Sequence, residues 1–230
     1  AGRRRRRKRK RQRQRQRQRR AMAAAPAAFS LREVQDAFQR CVTEQREVLL
    51  EPYLSGWRGL IRFLQSLGAV FSFISKDAVA KVQLMEGHCG GRQRQHYVSL
   101  QSMVRHELSA GLAALRARSD SGCRTVLRLH RALRWLQLFL EGLRSAESRT
   151  SVVCADAYNA SLARHHPWVV RKAAAVAFCA LPPRDAFLEI MNVGPPEEAV
   201  AVLGEAIPYI GDVYGITQEL FAQHELLDLP

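Results

Sequence analysis

The sequence predicts an all-α fold of about eight or more helices. No segment sustains the period-2 alternation of a strand, apolar residues return at three- and four-residue spacings in one segment after another, and Pro, Gly or Ser clusters divide those segments.

Each element follows in order. Ser30, Leu31, Arg32 and Glu33 have the spacing of a capping box, so a first helix is expected there, with Val34, Phe38, Cys41 and Val42 on one face. Pro52 opens a second helical stretch through Trp57, Leu60, Phe63, Leu64 and Leu67, and Gly68 is its expected break. A third helix spans Val70 to Met85, followed by Gly87 to Arg94 as a loop. A fourth is expected from Ser99 to Arg118, and Ser119 to Gly122 separates it from a fifth that reaches Arg144. Later helices are expected over 152–163, 168–180, 184–191, 197–213 and 216–225, punctuated by Pro167, Pro182-Pro183, Gly194-Pro195-Pro196 and Gly215.

Charge is unevenly distributed. Fourteen of the 36 Lys and Arg residues fall in residues 1–20, which hold no acid, so 22 remain against 21 acidic residues in the rest. The net charge of +15 therefore describes a tail, and the domain behind it is close to neutral. Residues 1–28, Arg/Gln-rich and then Ala-rich, cannot bury a core and are expected to be disordered. Such a tract reads either as a nuclear-targeting or RNA-binding arm, or as upstream sequence ahead of a protein that starts at Met22; the second reading is favoured. Residues 29–230 suffice for one domain with a substantial core.

Several function classes find no support. No apolar run reaches the ~18 residues of a membrane span. Cys41, Cys89, Cys123, Cys154 and Cys179 are odd in number and lack C-x-x-C spacing, which fits buried thiols in a reducing compartment better than disulfides or zinc. There is no Walker A loop, nucleophile elbow, H-E-x-x-H or catalytic carboxylate pair, so neither an enzyme nor a cofactor or metal is expected.

The third helix carries an anomaly. At about 100° per residue, Val70, Phe73, Ile74, Asp77, Lys81, Leu84 and Met85 share one sector, while Ser72, Ser75, Lys76, Gln83 and Glu86 lie mostly opposite. An unpaired charge on a buried stripe is strongly unfavourable. Asp77 and Lys81 either pair at a helix edge, contributing about 0.2–0.5 kcal/mol, or jointly receive a polar group above an apolar floor.

Two further patterns could bind a ligand. In the fifth helix Val126, Leu129, Leu133, Leu136 and Leu140 form the core stripe, and Arg124, Arg128, Arg131 and Trp135 cluster on the other side. That ridge is either a solvated arginine face or an anion site, since Arg pairs one turn apart can grip a phosphate. In His166-Pro167-Trp168, proline holds His166 extended and begins the next helix. The imidazole is a structural residue or a ligand, and Trp168 is core or an anchor at a membrane interface.

Together these three pieces, the Asp77 and Lys81 helix, the Cys123-to-Leu136 helix and His166-Pro167-Trp168, resemble the glycolipid transfer protein family over essentially all of Phe29 to Pro230. The resemblance is closest to its ceramide-1-phosphate-carrying members, through Glu51-Pro52-Tyr53, the 71–77 segment Phe-Ser-Phe-Ile-Ser-Lys-Asp, the arginine helix, the 191–196 segment Met-Asn-Val-Gly-Pro-Pro and the 226–230 segment Leu-Leu-Asp-Leu-Pro. It implies a two-layer helical sandwich that encloses the ceramide chains and holds the headgroup at its surface. Asp77 would accept from the amide N–H and sphingoid hydroxyl, and His166 would bond the amide carbonyl. Lys81, Arg124 and Arg128 would hold the phosphate, Phe71, Phe73 and Ile74 would line the apolar pocket, and Trp168 would dock at the bilayer. Glycolipid-binding members carry an asparagine four residues after the aspartate, a lysine seven after it and a sugar-stacking tryptophan; here those places read Lys81, Leu84 and Arg128. His165 replaces the tyrosine that commonly precedes the histidine.

The implied activity is non-enzymatic transfer of ceramide-1-phosphate between membranes by a monomer. It would be cytoplasmic and associate transiently with membranes such as Golgi, plasma and endosomal membranes, without nucleic acid on the folded domain. The alternatives are a helical protein-interaction scaffold, or a nucleic-acid binder acting through the basic tail.

Overall fold

The computed structural model describes residues 28–68, 71–109, 111–145 and 149–230, so the expectation for residues 1–28 falls, apart from Ala28, outside the described residues. Within them the chain forms α1 (Leu31–Gln39), α2 (Leu50–Ser66), α3 (Ser72–Gly90), α4 (Leu100–Leu108), α5 (Leu112–Ala117), α6 (Gly122–Arg144), α7 (Thr150–Ala160), α8 (Trp168–Cys179), α9 (Arg184–Ile190) and α10 (Pro196–Gln223). Short 3-10 turns at Arg94–His96 and Ala163–His165 complete it. The described residues include no strand, only bridges pairing Val42 with Val48 and Leu49 with Ser99.

Five helices close a ring about the main core: α3 packs on α2 and α6, α2 on α1, α1 on α10, and α10 back on α6. Phe38, Tyr53, Trp57, Phe63, Leu136, Phe139, Ile210 and Phe221 are buried within it. Outside the ring, α7 lies on α6 and α8 on α7.

Element boundaries differ from expectation where tertiary contacts outweigh local signals. The capping box does not form: the Ser30 side chain makes no cap bond, and the Glu33 carboxylate accepts from the Arg62 guanidinium of α2 at 2.5 Å in place of the Ser30 N–H. Helix α2 begins at Leu50, which puts Pro52 inside the first turn, where a missing N–H goes unnoticed. Helix α3 continues through the predicted loop to Gly90. Its last turns are held by His88, whose ring stacks on Tyr97 at 4.7 Å and whose Nε2 lies 2.8 Å from the Asp120 carbonyl. The expected fourth helix is two, α4 and α5, divided near Gly111, whose φ of +87° is helix-breaking.

The two expected C-terminal helices are one. Neither Gly215 nor Pro208 interrupts α10, because Ala199, Val202, Leu203, Ala206, Ile210 and Val213 are buried along it and the helix packs on α1 and α6. A glycine's cost of about 1 kcal/mol in a helix is small beside that burial. Its apolar length would suit a membrane span, but Glu205 and Asp212 interrupt it, so no uninterrupted apolar run of span length occurs there, and its buried face packs on α1 and α6.

All five cysteines are free, and Cys41, Cys123 and Cys154 are buried as expected, whereas Cys89 is only partly buried and Cys179, on the outer face of α8, is exposed. The start of α6 was not foreseen. The Ser121 hydroxyl accepts from the Arg124 N–H at 3.0 Å, and beneath it the buried carboxylate of Glu107 accepts from the N–H of Gly122 at 2.6 Å, the N–H of Cys123 at 3.0 Å and the Tyr97 hydroxyl at 2.9 Å. Burial alone would raise the Glu107 pKa, but these donors hold it below the ordinary glutamate value.

Two helix pairs approach at glycines. A Cβ on Gly59 would lie 2.5 Å from Val34 Cγ2, and one on Gly142 would lie 2.1 Å from Val153 Cγ1. Gly59→Ala should therefore lower stability by about 1–3 kcal/mol despite its better helix propensity. Gly87→Ala, whose new methyl meets nothing within 4 Å, should raise stability by up to about 1 kcal/mol. Thermal or denaturant melts of the two variants check the contrast in sign.

Candidate functional site

Between α3, α6, α7 and α8 lies a cavity of about 440 Å³. Its inner wall is apolar and inaccessible to solvent: Trp57 and Leu64 from α2, Leu129, Trp135 and Leu136 from α6, and Ala174 and Phe178 from α8. Its other end is charged and wetter, with Asp77 and Lys81 from α3, Arg128 and Arg131 from α6, and His165 and His166 from the α7–α8 connection. The result is an amphipathic chamber, oily within and cationic at the rim.

Helix α3 presents this face by a rotation that sequence reasoning did not capture. Its core stripe is Phe71, Ser75, Ala78, Val82 and Met85, all buried. Ser75, expected on the solvent side, is accommodated there because its hydroxyl donates to the Ser72 carbonyl at 3.1 Å. The face of Ile74, Asp77 and Lys81 is turned roughly a quarter turn from that stripe, toward the cavity. Asp77 and Lys81 form the i, i+4 ion pair and also line the chamber, so the two readings offered for them coexist. The Lys81 side chain is 14% exposed and that of Asp77 70%, so the lysine stem is the buried member.

The remaining expected residues are placed as follows. Arg128 lines the rim and makes no hydrogen bond or ion pair among the described residues. Arg124, one turn earlier, is not in the lining. Its guanidinium donates to the carbonyls of Arg118 at 2.9 Å, Arg116 at 3.4 Å and Pro230 at 3.3 Å, and Pro230 itself edges the cavity. Ile74 lines the cavity, whereas Phe71 belongs to the core, since it stands on the α3 stripe facing inward. The Phe73 side chain lies outside the described residues.

His166 is extended, with φ −112° and ψ 140°, and Pro167 caps α8 while Trp168 takes the first helical position expected for the proline. The imidazole Nδ1 lies 2.7 Å from the Tyr158 hydroxyl of α7. Partial burial lowers the His166 pKa; the charge of Asp77 raises it and that of Lys81 lowers it further. Beyond it α8 turns outward Trp168, 65% exposed, with Val169 at 62% and Val176 at 73%.

Sequence reasoning missed Tyr158, for which no local signal exists, and misread Trp135. That tryptophan lies seven residues after Arg128 and shares its flank, as expected, but the flank turns inward and the indole is buried in the chamber wall. Arg131 and His165 also line the cavity.

The sequence profile of the family described as glycolipid transfer protein matches residues 48–193. The ceramide-1-phosphate transfer protein of Homo sapiens is 62% identical over 207 residues, covering 88% of this chain and 97% of that protein. The crystal structure of human ceramide-1-phosphate transfer protein in complex with 12:0 ceramide-1-phosphate superposes with a TM-score of 0.83 at 62% identity, covering 88% of this chain and 100% of that one. The apo form of the mouse protein gives a TM-score of 0.84 at 57% identity, with the same coverage.

His165 supplies a test of the rim's electrostatics. Partial burial and the neighbouring charges of Arg131, Arg164 and His166 lower its pKa from 6.5 to about 4. The folded imidazole is therefore neutral at pH 7, while the unfolded one protonates near 6.5 and binds more protons between those values. Stability should fall as pH drops from 6.5 toward 4, and His165→Gln should flatten that part of the profile. An NMR titration of the ring should show no ionisation above pH 5.

Proposed function

The chain belongs to the glycolipid transfer protein family, whose two-layer helical sandwich is its fold, and we propose that it transfers ceramide-1-phosphate between membranes without a chemical step. One observation carries this reading: the apolar chamber ends in cations and not in a neutral sugar platform. Lys81 stands where glycolipid-binding members carry asparagine, and Arg128 where they carry the stacking tryptophan. A neutral sugar would leave Lys81, Arg128 and Arg131 facing one another, whereas a phosphate draws charge-assisted hydrogen bonds from them.

In the loaded state Lys81 leaves Asp77 for the phosphate, and Asp77 accepts instead from the ceramide amide N–H and sphingoid hydroxyl. Arg128 donates to the phosphate directly. Arg124, which in the empty protein donates to the carbonyls of Arg116 and Arg118 and to an oxygen of the terminal Pro230, turns to the phosphate. His166, whose Nδ1 is occupied by Tyr158, offers its other ring nitrogen to the amide carbonyl. The acyl and sphingoid chains lie against Trp57, Leu136, Ala174 and Phe178.

Solubility sets the mechanism. At about 0.8 kcal/mol per buried CH₂, a chain of roughly 15 carbons opposes release into water by on the order of 10 kcal/mol. Loading and unloading therefore take place at a bilayer, where the exposed Trp168, Val169 and Val176 seat the protein in the interfacial zone. The protein works as a cytoplasmic monomer that docks, exchanges lipid and leaves, serving membranes such as Golgi, plasma and endosomal membranes.

Vesicle-to-vesicle transfer of labelled sphingolipids tests the reading. Ceramide-1-phosphate should move and galactosylceramide should not. Arg124→Leu or Arg128→Leu should each slow transfer at least about tenfold, as the loss of a charge-assisted contact of about 1.5–3 kcal/mol demands. Asp77→Val should abolish transfer with little change in melting temperature, since the exposed carboxylate adds little to stability. Trp168→Ala should weaken vesicle binding and slow transfer while leaving the melt unchanged. Equal transport of the two lipids, or full activity in both arginine variants, would overturn the proposal.

A further inference from the structure

A second cavity, of about 450 Å³, opens on the adjoining flank of α6 and is walled by the end of α7, by α10 and by the C-terminal segment. It has the size of a small-molecule site. Arg131, Arg134 and Arg164 line it against one carboxylate, Asp228. None of the three forms an ion pair among the described residues.

Their present partners are all neutral. Arg131 Nη2 donates to the Leu227 carbonyl at 2.8 Å, Arg134 Nη1 donates to Gln137 Oε1 at 3.1 Å, and Arg164 Nε donates to His165 Nε2 at 3.1 Å. Each guanidinium has five N–H donors, so most of them remain available to a ligand. The charges also crowd one another. Burial first, then Arg128 and Arg164, lower the Arg131 pKa, and Asp228 offsets this only in part.

The wall holds a second unsatisfied group. His130 is buried and stacks on Tyr214 at 4.2 Å, and its Nε2 lies 2.7 Å from Gln218 Oε1. Because that oxygen can only accept, Nε2 carries the proton and Nδ1 is a bare acceptor. Nδ1 is buried with no partner. Burial lowers the His130 pKa to about 4, so the ring does not satisfy Nδ1 by taking up a second proton at neutral pH. Nδ1 is closed to the cavity, so what the site offers a ligand is surplus donors for an anion.

We propose that this second cavity binds a phosphate ester, its phosphate on Arg131, Arg134 and Arg164. The same chemistry occurs in a soluble polyol phosphate and in the headgroup of an anionic lipid. Arg134 and Arg164 line this cavity and not the first, which makes them selective probes.

The experiment is a titration of the full chain with sn-glycerol 3-phosphate, paired with flotation on phosphatidylcholine vesicles with and without phosphatidylglycerol. The double variant Arg134→Leu, Arg164→Leu should weaken binding at least about a hundredfold, roughly tenfold for each lost guanidinium contact, and keep ceramide-1-phosphate transfer between neutral vesicles. Arg128→Leu should leave glycerol phosphate binding intact. If the leucine pair lowers the melting temperature, the corresponding lysine pair keeps the charge and loses the fork, and should still bind about tenfold more weakly. Binding of the soluble ester identifies a soluble ligand. Binding seen only with phosphatidylglycerol, and lost in the double variant, identifies a lipid headgroup. The proposal is overturned if neither probe binds, if both double variants bind as tightly as the unsubstituted chain, or if Arg128→Leu alone removes glycerol phosphate binding.

Discussion

The structure depends on how the first turn of α6 is made tolerable. A helix N-terminus behaves as about half a positive charge, and this one carries Arg124 in its first turn and Arg128 in its second. Guanidinium groups in that position oppose the dipole and each other. The buried Glu107 carboxylate offsets both effects, because it bonds the N–H groups of Gly122 and Cys123 directly. Its third donor, the Tyr97 hydroxyl, ties the same point to the turn on which His88 of α3 stacks. One acid thus fixes the register between the two helices that supply the cations, and neither needs a carboxylate at the rim to be stable.

Keeping the compensating charge beneath the helix leaves the rim free for a ligand. A carboxylate paired with Arg128 would compete with phosphate, and none is found among the described residues. The exception is Asp77, which holds Lys81 while remaining mostly in water, where an ion pair is weak and readily exchanged. Burial is divided accordingly. Apolar wall residues such as Trp57 and Leu136 are inaccessible, whereas Asp77 and Arg128 at the rim are exposed.

Much of this was legible in the sequence, and the losses have physical causes. The α6 stripe, the free cysteines and the extended His166 follow from periodicity, spacing and proline geometry, which act locally. The α3 face was misjudged because Ser75 was counted as polar, whereas a serine that bonds its own preceding turn can be buried in a helix. Helix α10 was split at Gly215 because the local cost of glycine is visible in sequence and the compensating packing on α1 and α6 is not. Glu107 and Tyr158 act across 15 and eight residues respectively, through contacts that only the folded chain creates. Arg124 was assigned to the ligand by likeness, and no pattern in the chain discloses its hold on the carbonyls of the segment before α6 and of Pro230.

The close glycine contacts make the chamber mechanically uneven. Where α2 meets α1 at Gly59 and α6 meets α7 at Gly142, a valine side chain of the partner helix sits so close that a Cβ on the glycine would collide with it, so these seams have no room for a larger residue. Helix α8 has no such seam: it buries only Ala174, Ala177 and Phe178 and packs chiefly on α7. The chamber is therefore walled by closely seated helices on one side and by a lightly buried helix on the other. The lightly seated wall is also the one that turns Trp168 and Val176 outward, so the largest exposed apolar side chains ride on the least anchored helix of the chamber.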